Sequence, residues 1–264
     1  MDFMETSNGA LHYEYLPCSN AKRTLVFVNS LGTDYRIWDT PVGSLQSEYS
    51  IVRYDKRMHG LSSHCHRPYP MEEHVKDLKE LLQGLRIEKA IICGLSVGGM
   101  IAQGLAFSDP EQVDALILCD TGHKIGTREL WQDRIKQVEA EGLSSMTDAV
   151  MERWFTKEFR KSSNPLYSGC RAMFERQDPM GYSATCAAIR DADYSEARAL
   201  IKVPTLCVVG DHDLATPAAL VRELADGIPE SEFALIENAG HIPCVEAPET
   251  FTDLLTEFLT RRLS

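Results

Sequence analysis

Apolar positions along the chain follow two rhythms. Residues 9–17 alternate polar and apolar in the manner of an antiparallel edge strand, closed by Pro17. Short, largely apolar runs at 24–28, 49–54, 89–95, 113–119, 203–209 and 232–237 read as further strands; those at 24–28, 89–95 and 113–119 are apolar enough for burial on both faces. Between the runs the period lengthens. Val75, Leu78, Leu82 and Leu85 recur at helical spacing and predict a buried stripe on a helix over 72–85. A helix after residue 96 runs on through Ala102, Leu105 and Ala106, and others are expected at 217–226 and 248–263, the last on the outside. Alternating strands and helices imply an α/β fold with a mostly parallel, doubly wound sheet. From about 127 to 199 the rhythm breaks into helices alone, at 129–140, 147–155, 167–176 and 182–191. The expected organisation is a core of residues 1–126 and 200–264 with a helical lid (cap), 127–199, inserted at the carboxyl edge of the sheet, where such sheets bind ligands. Trp131, Trp154, Phe155, Phe159, Phe174 and Tyr182 fall in that insertion, most of them expected as its core.

The strand at 89–95 runs into Gly94-Leu95-Ser96-Val97-Gly98 and then a helix. A strand that turns sharply into a helix strains its middle residue. Glycines on either side remove the side chains that would clash, so Ser96 stands at the top of the sheet as a candidate nucleophile. The Val97 amide then points toward whatever Ser96 attacks. The strand at 24–28 delivers Asn29-Ser30-Leu31-Gly32 to the same edge, where Gly32 lets the backbone approach a ligand and aims the Leu31 amide into the site.

A serine hydroxyl needs a positioned base, itself oriented by an acid. His241, in Ala239-Gly240-His241-Ile242-Pro243 between the last strand and the last helix, is where the order serine, acid, histidine puts the base. His123 is the second choice; His12, His59, His64, His66, His74 and His212 read as strand, loop or surface residues. Asp213, in the loop after 203–209, is the candidate acid, and Asp120 at the end of 113–119 is its rival. Asp211 is expected to stabilise the turn.

Composition narrows the function without choosing it. A formal charge of −12 disfavours nucleic acid and anionic membranes as partners. No apolar run is long enough to span a bilayer, and the first residues lack a signal-peptide pattern. The eight cysteines show no metal-ligand spacing, and His64-Cys65-His66 reads as a surface loop. Reduced thiols and a cytoplasmic location are expected, with no metal and no cofactor.

Three stretches together resemble the 3-oxoadipate enol-lactonases within the α/β-hydrolase superfamily. They are Asn29-Ser30-Leu31-Gly32-Thr33-Asp34 with Trp38-Asp39, the elbow Gly94-Leu95-Ser96-Val97-Gly98-Gly99-Met100, and the lid segment from Gly181 to Asp191. The first two recur with variations among esterases and peroxidase-like hydrolases, while the lid segment is more specific. The chain departs from hydrolases that carry His-Gly before the oxyanion amide. Its Asn29-Ser30 is similar to the lactonases.

The resemblance implies the α/β-hydrolase fold and opening of a small anionic lactone, 3-oxoadipate enol-lactone, in the β-ketoadipate pathway of aromatic catabolism. Ser96, His241 and Asp213 would form the triad, and the Leu31 and Val97 amides the oxyanion hole. The lid residues expected at the substrate are Trp131, Arg134 and Trp154. Arg134 is the leading candidate for a carboxylate clamp, against the plainer reading of a solvated helix charge, with Arg190 and Lys124 also open. Competing activities are a general carboxylesterase or thioesterase and a C–C bond hydrolase of ring-cleavage products. A ligand receptor on a hydrolase scaffold is the non-enzymatic alternative.

Overall fold

The computed structural model describes residues 1–63 and 69–263, so the expectation for His64-Cys65-His66 lies outside the described residues. In chain order the elements begin β1 (Asp2–Thr6), β2 (Gly9–Leu16), β3 (Thr24–Val28), α1 (Asp39–Leu45), β4 (Ser50–Tyr54) and α2 (Met71–Gly84). Next come β5 (Ala90–Leu95), α3 (Val97–Ser108) and β6 (Val113–Cys119). Helices α4 (Arg128–Glu141), α5 (Thr147–Trp154), α6 (Pro165–Glu175) and α7 (Pro179–Asp191) then follow without a strand. The chain closes with β7 (Thr205–Gly210), α8 (Ala218–Asp226), β8 (Ser231–Ile236), α9 (Pro243–Glu246) and α10 (Pro248–Leu263).

One eight-stranded sheet, ordered β1-β2-β4-β3-β5-β6-β7-β8, carries the fold. From β4 to β8 every pairing is parallel; β1 and β2 pair antiparallel at one margin. The apolar runs form its centre. All of β5 is buried, and Leu25, Val26, Phe27 and Val28 are fully so. Burying each such large side chain contributes about 1.5–3 kcal/mol. Helix α2 packs on α3 and α1 on α10; in the segment between β6 and β7, α4 packs on α7 and α5 on α6. None of the described helices is long and apolar enough to cross a membrane, and the seven described cysteines are free thiols.

Three local readings are corrected and one helix is added. Residues 9–16 do not form the edge strand: a Ser7-Asn8 turn folds β1 back onto β2 and takes that position. Helix α1 contains Pro41 and Gly43, which hide it from a periodicity reading, yet Val42 and Leu45 are buried. Helix α7 starts three residues early because the Asp178 carboxylate caps the Met180 and Gly181 amides ahead of a Pro179 that suits the first turn. His74 is a buried residue on α2, standing edge-on to Tyr69.

Candidate active site

Ser96 sits at the junction of β5 and α3 with φ 56° and ψ −116°, a conformation that costs a non-glycine residue on the order of 1–3 kcal/mol. Its backbone is held from several sides: Ser96 N–H donates to the Cys119 carbonyl at 2.9 Å, and Thr121 Oγ1 donates to the Ser96 carbonyl at 2.6 Å. Gly98 admits the turn because a Cβ there would lie 2.2 Å from the Val28 carbonyl oxygen. Gly98→Ala is therefore expected to cost at least about 3 kcal/mol. Thermal denaturation should show it as a Tm lower by about 10 °C. An unchanged Tm would mean that β3 and α3 are not in this tight register.

Gly32 has φ +74° and also makes room for the Phe174 ring of α6, which a Cβ would meet at 2.8 Å.

His241 Nδ1 and Asp213 Oδ2 are 2.9 Å apart, both residues buried. The Asp213 carboxylate also accepts from the Ala215 amide at 2.7 Å, the Thr216 amide at 3.0 Å and Thr216 Oγ1 at 2.5 Å. Burial alone would raise its pKa, but the neighbouring His241 and these hydrogen bonds hold it below the usual carboxylate range. Asp120 is close by: oxygens of the two aspartates and a His241 nitrogen all lie within 4.8 Å of one another. Asp120 behaves oppositely. Burial, then repulsion from Asp213, pushes its pKa well above the usual carboxylate range. The two rivals therefore differ: Asp213 contacts the histidine and has its pKa held low, while Asp120 lies beside the pair with its pKa pushed up. His123, the alternative base, instead contacts Arg198 Nη1 at 2.7 Å and is absent from the cavity lining at Ser96. Asp211 Oδ1 accepts from the Ala239 amide at 3.2 Å and so braces the loop that leads to His241.

A cavity of about 100 Å³ opens at Ser96. Ser30, Leu31 and His241 line it from the sheet side, and Trp131, Arg134, Arg153, Trp154 and Tyr182 from the helices between β6 and β7. Among the described residues the Leu31 and Val97 amides donate to no protein acceptor. A larger groove of about 850 Å³ runs along residues 152–164 and His212, but it contains neither Ser96 nor Leu31. The smaller cavity is the one that holds both Ser96 and His241.

The residues selected from the sequence between β6 and β7, Trp131, Arg134 and Trp154, meet here. Trp131 is buried with Nε1 donating to the Ile125 carbonyl at 2.5 Å, and the Arg134 guanidinium lies 4.9 Å from the Trp131 ring centre. Trp154 packs edge-on against Phe174, its carbonyl accepting from the His241 amide at 2.8 Å. The other candidate cations are spent elsewhere: Arg190 pairs with Asp191 and bonds Gln132, and Lys124 pairs with Asp193. Arg153 was not anticipated. It adjoins Trp154 on a short helix, and only that adjacency signalled it. Among the described residues no carboxylate pairs with Arg134 or Arg153.

A parallel sheet crossed by a strand–serine–helix turn, with a histidine–aspartate pair beside it, defines a hydrolase architecture. The chain belongs to the α/β-hydrolase family, whose fold model matches residues 23–248. Among curated relatives it is 31% identical to 3-oxoadipate enol-lactonase 2 of Acinetobacter baylyi, over 98% of this chain and 97% of that protein. It is 32% identical to enol-lactonase 1 of the same organism, over 89% of this chain and 88% of that protein. The crystal structure of the enol-lactonase from Burkholderia xenovorans LB400 superposes with a TM-score of 0.95 at 34% identity, covering 98% of this chain and all of the other.

Proposed function

We propose that this α/β hydrolase opens 3-oxoadipate enol-lactone by a serine mechanism, in aromatic catabolism, with residues 127–199 acting as the lid. The observation that carries the reading is a small cavity holding Ser96 and His241 together with two arginines that pair with no carboxylate among the described residues. At about 100 Å³ it is well below the ~300–1,000 Å³ of drug-sized ligand sites, which favours a compact substrate over bulky ring-cleavage products. Similarity to proteins named for enol-lactone hydrolysis supports the same substrate.

His241 Nδ1–H donates to Asp213, which leaves Nε2 to take the Ser96 proton. Ser96 Oγ adds to the lactone carbonyl, and the Leu31 and Val97 amides receive the oxyanion. Collapse breaks the ring C–O bond and expels an enolate, which leaves more readily than an alkoxide and takes its proton from His241. Water, losing a proton to His241, then cleaves the acyl-enzyme; the enol tautomerises to 3-oxoadipate. Arg134 and Arg153 hold the substrate carboxylate, a charge-assisted contact in a partly dry site.

Arg134→Met is expected to raise KM for the acidic lactone by roughly ten- to a hundredfold, the worth of one such contact. KM for a neutral ester of similar size should move less than about threefold. Equal effects on both substrates would remove the carboxylate from Arg134 and with it the preference for an anionic lactone.

A further inference from the structure

Two buried side chains in the loop after β4 grip the backbone on either side of Leu31. Lys56 Nζ donates to the Ser30 carbonyl, and the Gly32 amide donates to His59 Nε2 at 3.1 Å. Both residues are almost wholly buried, 1% exposed each, and neither lines the cavity, so substrate does not touch them. The Ser30–Leu31 peptide is trans, as are the others described, so its C=O and N–H point in opposite directions. Drawing the Ser30 oxygen toward Lys56, away from the cavity, turns the Leu31 N–H the other way. Thr33 Oγ1 supports the same carbonyl at 2.9 Å, and the Thr33 amide at 3.4 Å.

We infer that Lys56 and His59 are positioning residues that fix the Leu31 amide as an oxyanion donor, an assignment that rests on the serine-hydrolase reading above. The protonation states agree with the geometry. His59 Nδ1 faces the Arg57 carbonyl at 3.2 Å, so it carries the proton and Nε2 accepts. A protonated His59 could not accept from Gly32. Burial, then the Lys56 charge, pulls its pKa well below the usual histidine value and keeps it neutral. An amine donates whether charged or not, so the Lys56 contact survives the lowering of its own pKa by burial. Asp55 is near enough to raise that pKa but is itself occupied, with His12 Nδ1 at 2.8 Å and the Tyr35 and Leu61 amides.

An amide that must meet a developing charge gains from being fixed beforehand, and loss of one oxyanion donor typically lowers kcat by about 10²–10³-fold. Loosening one should cost less. Lys56→Met keeps the stem and deletes the donor; His59→Leu deletes the acceptor, and His59→Gln retains a side-chain oxygen that can accept. The measurements are Tm, kcat and KM on the enol-lactone, and binding of phenylboronic acid, which forms a tetrahedral adduct on Ser96 and fills the oxyanion position, against binding of 3-oxoadipate. For Lys56→Met and His59→Leu, kcat should fall about 10- to 100-fold and boronate affinity about tenfold, with KM and 3-oxoadipate binding within about threefold. His59→Gln should recover part of the loss. A folded Lys56→Met protein with wild-type kcat and boronate affinity overturns the assignment, as does a loss shared equally by KM and product binding. If Lys56→Met does not fold, the two His59 variants carry the same test, and equal behaviour of Gln and Leu rejects it. Ser96→Ala run alongside separates the failures, because turnover in that variant defeats the serine reading itself.

Discussion

Ser96→Ala should lower kcat on the enol-lactone by roughly 10⁴–10⁶-fold while leaving Tm within a few degrees of wild type. The loss is chemical because the side chain does little for the fold. Among the described residues Ser96 Oγ makes no protein hydrogen bond, and the contacts that hold the turn are to its backbone. Alanine keeps the Cβ and meets the same strain at φ 56°. The Leu31 and Val97 amides proposed to receive the oxyanion remain, so some acceleration over water should persist. Circular dichroism and Tm confirm folding, and single-turnover assays exclude contaminating activity. Turnover near wild type in a folded variant would mean that the elbow serine is not the nucleophile.

The second large effect separates the two aspartates. Asp213→Asn should lower kcat by about 10³–10⁴-fold. The Ala215 and Thr216 amides both donate to Oδ1, which obliges an asparagine to keep its carbonyl oxygen there and present its NH₂ to His241. The imidazole Nδ1 would then have to accept, leaving Nε2 protonated and unable to take the Ser96 proton. Asp120→Asn should change kcat by less than about tenfold. Asp120 Oδ1 accepts from the Gly210 amide at 2.9 Å, its other oxygen has no hydrogen-bond partner among the described residues, and burial disfavours its charged form, so an amide of the same shape replaces it at little cost. Rates for the two variants at pH 7, with Tm as the control for folding, decide the matter. The reverse order of losses would make Asp120 the acid.

The sheet was legible because its central strands are nearly unbroken apolar runs, and burial on two faces leaves no other use for them. The weak points are those where packing and not pattern makes the element. In β1 only Met4 and Thr6 are even partly buried, so no alternation marked it; β1 forms because a turn folds it onto β2. Helix α9 is a single turn after Pro243. At the site, Ser96, Asp213 and His241 each end or follow a strand, and strand order alone brings such positions to one edge. Lys56 and His59 were not visible as site residues. Their importance depends on which carbonyl and which amide they face across the β3 loop, and no sequence period encodes that. Arg153 was missed for a related reason: a cation beside a tryptophan on a helix usually faces water, and only the packing of α5 over the cavity turns it inward.

The most direct test of the central claim is steady-state hydrolysis of 3-oxoadipate enol-lactone beside a neutral aryl ester by the wild-type protein. The account predicts kcat/KM for the lactone higher by about 10²-fold or more, since two arginines then contribute binding that the ester cannot use. A neutral ester turned over as well as or better than the lactone would contradict it, leaving a general esterase that uses the same serine.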